Sequence, residues 1–252
     1  MSGMFLFGVV NCSPDSLHEP SIVRSADEAR TRIDYLQGAG AAGVDVGGQG
    51  STAVSTLVGA DEEWARVAEV LEVAVDRAEL VSVDSFRPEV MRRALELGVN
   101  VLNSADGMAT EGAWELAAEF RPLVVLPFMN GPNPHELRHV EGDPLDAMVE
   151  FFTQRLALAE RFGLRDRCLL DPGTGFGPHG WAWEDRYHYQ KHVYAGLDRL
   201  RVFGLPLYIP LPWKHTAQHD ELLSIVVARE PEYGRAHEPE RIRAAEAGEL
   251  GR

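Results

Sequence analysis

The chain carries only two cysteines in 252 residues, Cys12 and Cys168, too few and too far apart for a disulfide framework or a metal-binding cysteine cluster. Reduced thiols are expected, and Cys168, inside the strand-like run "CLLD", reads as a core residue. Cys12 stands beside a polar loop, and no histidine at a recognisable spacing activates it as a nucleophile. Long apolar runs are missing too: nothing approaches the roughly 18 consecutive apolar residues of a membrane helix. The opening residues "MSGMFLFGVVNCSPDS" hold a short apolar run with no basic stretch before it, which reads as a strand rather than a signal peptide, so a cytoplasmic location is expected. Basic residues are the third shortage. Lys and Arg number 24 against 39 Asp and Glu, a formal net charge of −15, which argues against nucleic acid or a membrane surface as partner. A small anionic ligand would need a local basic site of its own.

What the chain does have is alternation. Short apolar runs are followed by amphipathic ones: "MFLFGVV" then "SADEARTRIDYLQGAG", "GVDVGG" then "ADEEWARVAEVLEVAVDRA", "LVSVD" then "RPEVMRRALELG". The series continues through "VNVLNS", "PLVVLPFM", "CLLD" and "LPLYIPL", each with a helical segment after it. It closes on a weaker unit, "PEYGRAHEP" with "ERIRAAEAG", in which Pro231 removes a ladder donor. Eight β/α units predict a (β/α)8 barrel, a TIM barrel, as one domain over residues 1–252, with a doubly wound open sheet as the lesser alternative. Boundary chemistry agrees. Ser25 caps the first helix with Glu28 three residues on, Pro88 opens the third, and "GAG", "ELG", "RFG" and "VFG" put glycine just past helix ends.

In such a barrel the chemistry sits where strands end. Those positions are Asn11, Asp45, Asp84, Asn103, Phe128, Asp171, Lys214 and Arg235 with His237. Any one polar residue there can simply cap the next helix. The set resists that explanation, because Asp45 and Asp171 lead into glycine-rich loops and Lys214 starts no helix. Carboxylates from Asp84 and Asp171 beside the Asn103 amide suit the adjacent N–H donors of a flat heterocycle, while Arg235 and His237 suit a phosphate. The glycines of "LDPGTGFG" match neither the P-loop nor the dinucleotide pattern and instead let the backbone pass close to a flat ring.

These residues stand in motifs that resemble a known family. "GVVNCSPDS" resembles the "G-I-L-N-V-T-P-D-S" signature of the dihydropteroate synthases. "GVDVGGQGST", "VSVDSFRPEVMRRALELGVNVLNSADG", "LLDPGTGFG", the lysine of "PWKHT" and "RAHE" follow in family order over essentially the whole chain. The resemblance implies a pterin-binding TIM barrel and a transferase of folate biosynthesis. In such an enzyme p-aminobenzoate displaces diphosphate from 6-hydroxymethyl-7,8-dihydropterin diphosphate. Carried over by position, Asp84, Asn103, Asp171, Lys214 and Phe176 look like the pterin site, with Asp84, Lys214 and Asn11 in catalytic roles. Asn11, Arg235 and His237 look like the diphosphate site, and Asn11 like a ligand of Mg2+. A homodimer is implied through the helix carrying "ELLSIVVAR".

The sequence departs from the family at the rim. "G-G-E-S-T-R-P-G" becomes "GGQGSTAVSTLVG", with Gln49 for Glu and no arginine; "S-R-K-S" becomes "PWKHT", with Trp213 and His215; and "M-H-M" becomes "PFM", with Phe128 for histidine. The first loop, "SPDSLHEPS", lacks the usual glycine pair. An altered second substrate is one expectation. A methyltetrahydrofolate-dependent methyltransferase of the pterin-barrel type, against which Lys214 counts, and a non-catalytic pterin binder are the alternatives. His188 and His192 have a metal-pair spacing without a third ligand and read as helix surface. "WAW" at 181–183 fits a lid, an oligomer contact or rim packing. "NGPNPHELRHVEGDP" reads as a solvated loop.

Overall fold

The computed structural model describes residues 3–16, 18–50, 55–132 and 135–250. Leu17 of the first loop, residues 51–54 of "GGQGSTAVSTLVG" and residues 133–134 of "NGPNPHELRHVEGDP" lie outside the described residues.

Eight strands alternate with eight α-helices: β1 Phe5–Asn11, α1 Ala26–Gly38, β2 Gly43–Gly47, α2 Ala60–Arg77, β3 Leu80–Asp84, α3 Pro88–Leu97, β4 Val101–Asn103 and α4 Ala113–Phe120. There follow β5 Leu123–Pro127, α5 Pro144–Arg161, β6 Cys168–Asp171, α6 Trp183–Ala195, β7 Tyr208–Pro210, α7 Ala217–Val227, β8 Tyr233–Ala236 and α8 Pro239–Glu246. All ladders are parallel, in the order β6-β5-β4-β3-β2-β1-β8-β7. The circle is completed between β6 and β7 by a single bridge, Leu170 to Leu207, with Leu170 N–H donating to Pro206 O at 2.9 Å. The result is the expected (β/α)8 barrel, nearly closed.

Side-chain alternation along the strands separates two cores. Phe7, Val101, Val125, Leu169 and Tyr208 fill the barrel interior, and Phe5 and Tyr233 pack against them with tilted rings. The outer core lies between strands and helices. In α1, Ala29, Ile33 and Leu36 recur at helical spacing and are fully buried, each large side chain contributing about 1.5–3 kcal/mol. The helix starts at Ser25, whose Oγ accepts from Glu28 N–H at 3.2 Å, while the Glu28 carboxylate reaches back to Arg24 N–H at 2.8 Å. Helix α3 stops at Gly98, whose φ of +113° is left-handed and whose N–H closes the last turn.

Two elements differ from the sequence reading. The helical segment expected after "CLLD" is not one helix: it breaks at Gly196 into α6 and a 3-10 segment, Leu197–Phe203. The last strand is sound: Pro231 precedes it, and β8 pairs with both β1 and β7. Among the described residues no helix is long and apolar enough to cross a membrane. Helix α7 buries Leu222, Leu223 and Val226 within its own chain.

Candidate active site

Parallel register lines up the carboxyl ends of the strands, and five polar side chains meet there. Gly47 is paired with Asp84 and Asp84 with Asn103, so β2, β3 and β4 finish at one level. Arg235 of β8 crosses the opening. Its Nε donates to Asp45 Oδ2 at 2.5 Å and its Nη2 to Asp84 Oδ2 at 3.3 Å. Asn103 Nδ2 lies 3.4 Å from both oxygens of Asp45. Asp45 is fully buried, and Asn103 and Asp171 nearly so.

The electrostatics follow from three carboxylates facing one guanidinium with little water. Burial pushes the Asp84 carboxyl up to about 7, the Asp45 charge adds to the rise, and Arg235 opposes it. Burial likewise raises Asp171 to about 7, against the pull of the Gly173 N–H and Arg235. For Arg235 burial works against the charge, but Asp45 and Asp84 more than offset it and hold the guanidinium protonated. Near neutral pH, Asp84 and Asp171 can therefore each exist as acid or carboxylate. The mouth can accept N–H donors with either residue and can also donate a proton.

Asp171 is set by the loop after β6. Its Oδ1 accepts from Gly173 N–H at 2.7 Å, and its Oδ2 makes no hydrogen bond among the described residues. Gly173 is obligatory there: its φ is +67°, and a Cβ would lie 2.0 Å from Phe128 O. Phe128 thus backs the loop that positions Asp171. Phe176 stands on the same loop, its N–H bonded to Gly173 O, and lines a small cavity with Phe128, Trp181 and Tyr189.

On the other side, Asn11 ends β1. Its Nδ2 donates to Ser16 Oγ at 2.9 Å and to Ser21 Oγ at 2.6 Å. Ser21 spends its own proton on His18 O, so it must accept from Asn11. That fixes the amide orientation and leaves Oδ1 as an acceptor with no partner among the described residues. His237 follows β8, its ring 4.5 Å from that of His18 and 5.7 Å from that of Trp213. Burial, reinforced by Arg235, His18 and Arg32, lowers its pKa to about 2, so it is a neutral hydrogen-bonding group rather than a cation. Arg32 of α1 donates to both Val9 O and His237 O, tying β1 to the end of β8.

Lys214 does not join the carboxylates. It is exposed, with Nζ 5.5 Å from the centre of the Trp213 ring, and forms no ion pair among the described residues. Asp45 is the opposite case: the sequence places it at a strand end, but only the structure makes it the hub joining Arg235 to Asn103. Its signal in sequence is a lone carboxylate inside an apolar strand.

The rim loops are tied down. Gln49 Nε2 donates to Gly50 O and Thr56 O at 3.1 and 2.9 Å, and its Oε1 accepts from Val58 N–H at 3.0 Å. Asp15 of the first loop accepts from Thr56 N–H at 3.0 Å. Arg87, before α3, holds Val58 O and the buried Glu63 carboxylate. The "WAW" aromatics pack on the rim: Trp181 meets Tyr189 and His139, and Trp183 stacks on His219 at 4.2 Å. His188 and His192 pair with different carboxylates, Glu184 and Asp143.

Fold and site together define a TIM barrel whose mouth carries an acidic, buried, hydrogen-bonding layer. A family model described as pterin binding enzyme matches residues 7–212. The dihydropteroate synthase of Escherichia coli K12 is 30% identical over 215 residues, 81% of this chain and 76% of that protein. A dihydropteroate synthase type-2 from Escherichia coli is 31% identical over 214 residues, covering 84% and 77%. Among solved structures, Xanthomonas albilineans dihydropteroate synthase with 4-aminobenzoic acid superposes with a TM-score of 0.81 at 26% identity, over 98% of this chain and 92% of that one. The chain belongs to the dihydropteroate synthase family of pterin-binding enzymes.

Proposed function

We propose that this protein binds a dihydropterin diphosphate in the barrel mouth and transfers its methylene to an amine, with loss of diphosphate. Membership of the synthase family makes it a transferase acting on a pterin. The observation that carries the reading is the layer of buried Asn103 and Asp171 and largely buried Asp84 beside Arg235. Carboxylates can accept the paired N–H groups of the pterin ring, and the amide can both donate and accept. Asp171 Oδ2, without a hydrogen bond among the described residues, would make that contact, and Phe176 of the same loop would cover the ring. A pterin cation forming as the C–O bond breaks would be stabilised by the Asp84 carboxylate in a site of low dielectric. His237 would donate one N–H to the leaving group, and Lys214 would add positive charge on swinging from Trp213.

No group of three His, Cys, Asp or Glu able to hold a metal occurs among the described residues. Mg2+ with a single protein ligand, Asn11 Oδ1, and the substrate's own oxygens fits this donor set. When bound, the ion would neutralise charge on the departing diphosphate.

A second reading, pterin binding without transfer, is favoured by the commitment of Arg235 to Asp45 and Asp84. The test is diphosphate release from 6-hydroxymethyl-7,8-dihydropterin diphosphate with Mg2+, with and without p-aminobenzoate. Amine-dependent release supports the transferase. Release only with another amine supports an altered second substrate, matching the rewritten rim. Tight binding with no release for any amine supports the second reading.

A further inference from the structure

Strands β6 and β7 are the least joined pair in the barrel, held by the single bridge between Leu170 and Leu207. Toward the mouth they end at Asp171 and Pro210, and Pro210 has no N–H to extend the ladder. A side-chain relay from α6 crosses this seam instead. Tyr194, 1% exposed, places its Oη 3.1 Å from Pro210 O and 2.9 Å from Thr174 Oγ1. A carbonyl only accepts, so the phenol proton goes to Pro210 O and the Thr174 hydroxyl donates to Tyr194. Gln190, one helical turn earlier on α6, donates from Nε2 to Thr174 O at 2.7 Å, and Arg186, a further turn back, donates from Nη2 to Gly175 O at 2.6 Å. We propose that this polar stripe of α6, led by Tyr194, positions the pterin-binding groups: it bolts the loop after β6 to the end of β7 and so holds the Asp171 carboxylate and Phe176 in place. The proposal deepens the pterin reading of the mouth and rests on it.

The stripe reaches the carboxylate through the residue next to its anchor. Thr174 is fully buried and follows Gly173, whose N–H holds Asp171 Oδ1 at 2.7 Å and whose O accepts from Phe176 N–H at 3.0 Å. Both of those bonds stay inside the loop. Among the described residues, the hydrogen bonds that tie residues 173–176 to the rest of the barrel are those α6 makes to Thr174 and Gly175. Gly175 also rests against the end of β7, where a Cβ would come 3.5 Å from Pro210 Cβ. Apolar side chains at 190 and 194 would fill the same space but leave the loop free to slide, whereas buried hydrogen bonds admit one arrangement. Tyr194 and Gln190 therefore act through the loop and not on the ligand.

Tyr194→Phe keeps the ring and removes both bonds of the relay; Thr174→Val removes the hydroxyl donor, and Thr174→Ser restores it. Hydrogen exchange is followed at the Gly173 amide of the ligand-free full chain, with the β4 amides as the control for global stability, and 6-hydroxymethyl-7,8-dihydropterin is then titrated calorimetrically. Tyr194→Phe and Thr174→Val should each speed exchange at Gly173 and weaken the pterin about tenfold, with parent-like protection in β4, while Thr174→Ser stays within about twofold of the parent in both. Parent-like exchange at Gly173 in the first two variants, faster exchange spread equally over β4, or a loosened Gly173 with unchanged pterin affinity overturns the inference. A parent protein that binds no pterin would instead sink the reading of the mouth, with Gly173 exchange still deciding whether the stripe holds the loop.

Discussion

Arg235 and Asp45 lie on strands β8 and β2, 190 residues apart in sequence, and form an ion pair, fully buried on the Asp45 side, with Nε 2.5 Å from Oδ2. Asp45 has no exposed surface, so its charge depends on this partner and on Asn103. Removing one half of a buried pair leaves the other uncompensated, at a cost of about 3–5 kcal/mol. Asp45→Ala should lower unfolding stability by about 3 kcal/mol, because Asp84 still holds Arg235. Urea denaturation measures it, and a loss below about 1 kcal/mol would contradict the hub role.

Asp171 predicts a pH dependence of opposite sign to the usual carboxylate. Its pKa is raised to about 7 when folded, so between about pH 4 and 7 the native state binds more protons than the unfolded chain. Its contribution to stability is full below the unfolded pKa and is lost as pH rises through 7. Asp171→Asn keeps an oxygen for Gly173 N–H and removes the titration. The variant should gain on the order of 1–3 kcal/mol relative to the parent at pH 8 compared with pH 5. Thermal unfolding at the two pH values decides it, and an unchanged difference would falsify the burial account.

Gln49 binds the backbone as a paired strand would, donating to Thr56 O and accepting from Val58 N–H. Gln49→Glu removes both donors while keeping size. The Val58 amide should then exchange with solvent about tenfold faster, the equivalent of about 1.4 kcal/mol of local opening. Hydrogen exchange resolved at that amide is the check, and unaltered protection would show that Arg87 alone holds the loop.

His237, kept neutral by burial and three nearby cationic or imidazole groups, predicts what is missing from a pH profile. Affinity for the diphosphate-bearing pterin should show no step near pH 6.5 from this residue. His237→Ala should weaken that ligand about tenfold, the value of one hydrogen bond to a charged group, and should weaken the free pterin alcohol much less. Equal losses for the two ligands would refute the assignment to the diphosphate.

Much of this was legible in sequence because barrel geometry puts strand ends at one mouth. Asp84, Asn103, Asp171 and Arg235 could be collected from the β/α alternation, and the structure brings those four together. Lys214 shows the limit: its strand position is readable, but its long side chain rests on Trp213, a choice made by tertiary packing. The hub role of Asp45 was hidden for a related reason, since a carboxylate in a strand shows its partner only when β8 closes beside β1. Pro231 misled because its missing N–H falls before the ladder rather than within it. The Gln49 clasp needed the loop to fold back, which no local periodicity encodes.

The central claim is that the acidic layer at the strand ends binds a pterin. Calorimetric titration of 6-hydroxymethyl-7,8-dihydropterin into the parent protein and into Asp171→Ala tests it most directly, with circular dichroism confirming that both are folded. The account predicts saturable binding to the parent and its loss in the variant. No binding to the parent, or the same affinity in both, would contradict it.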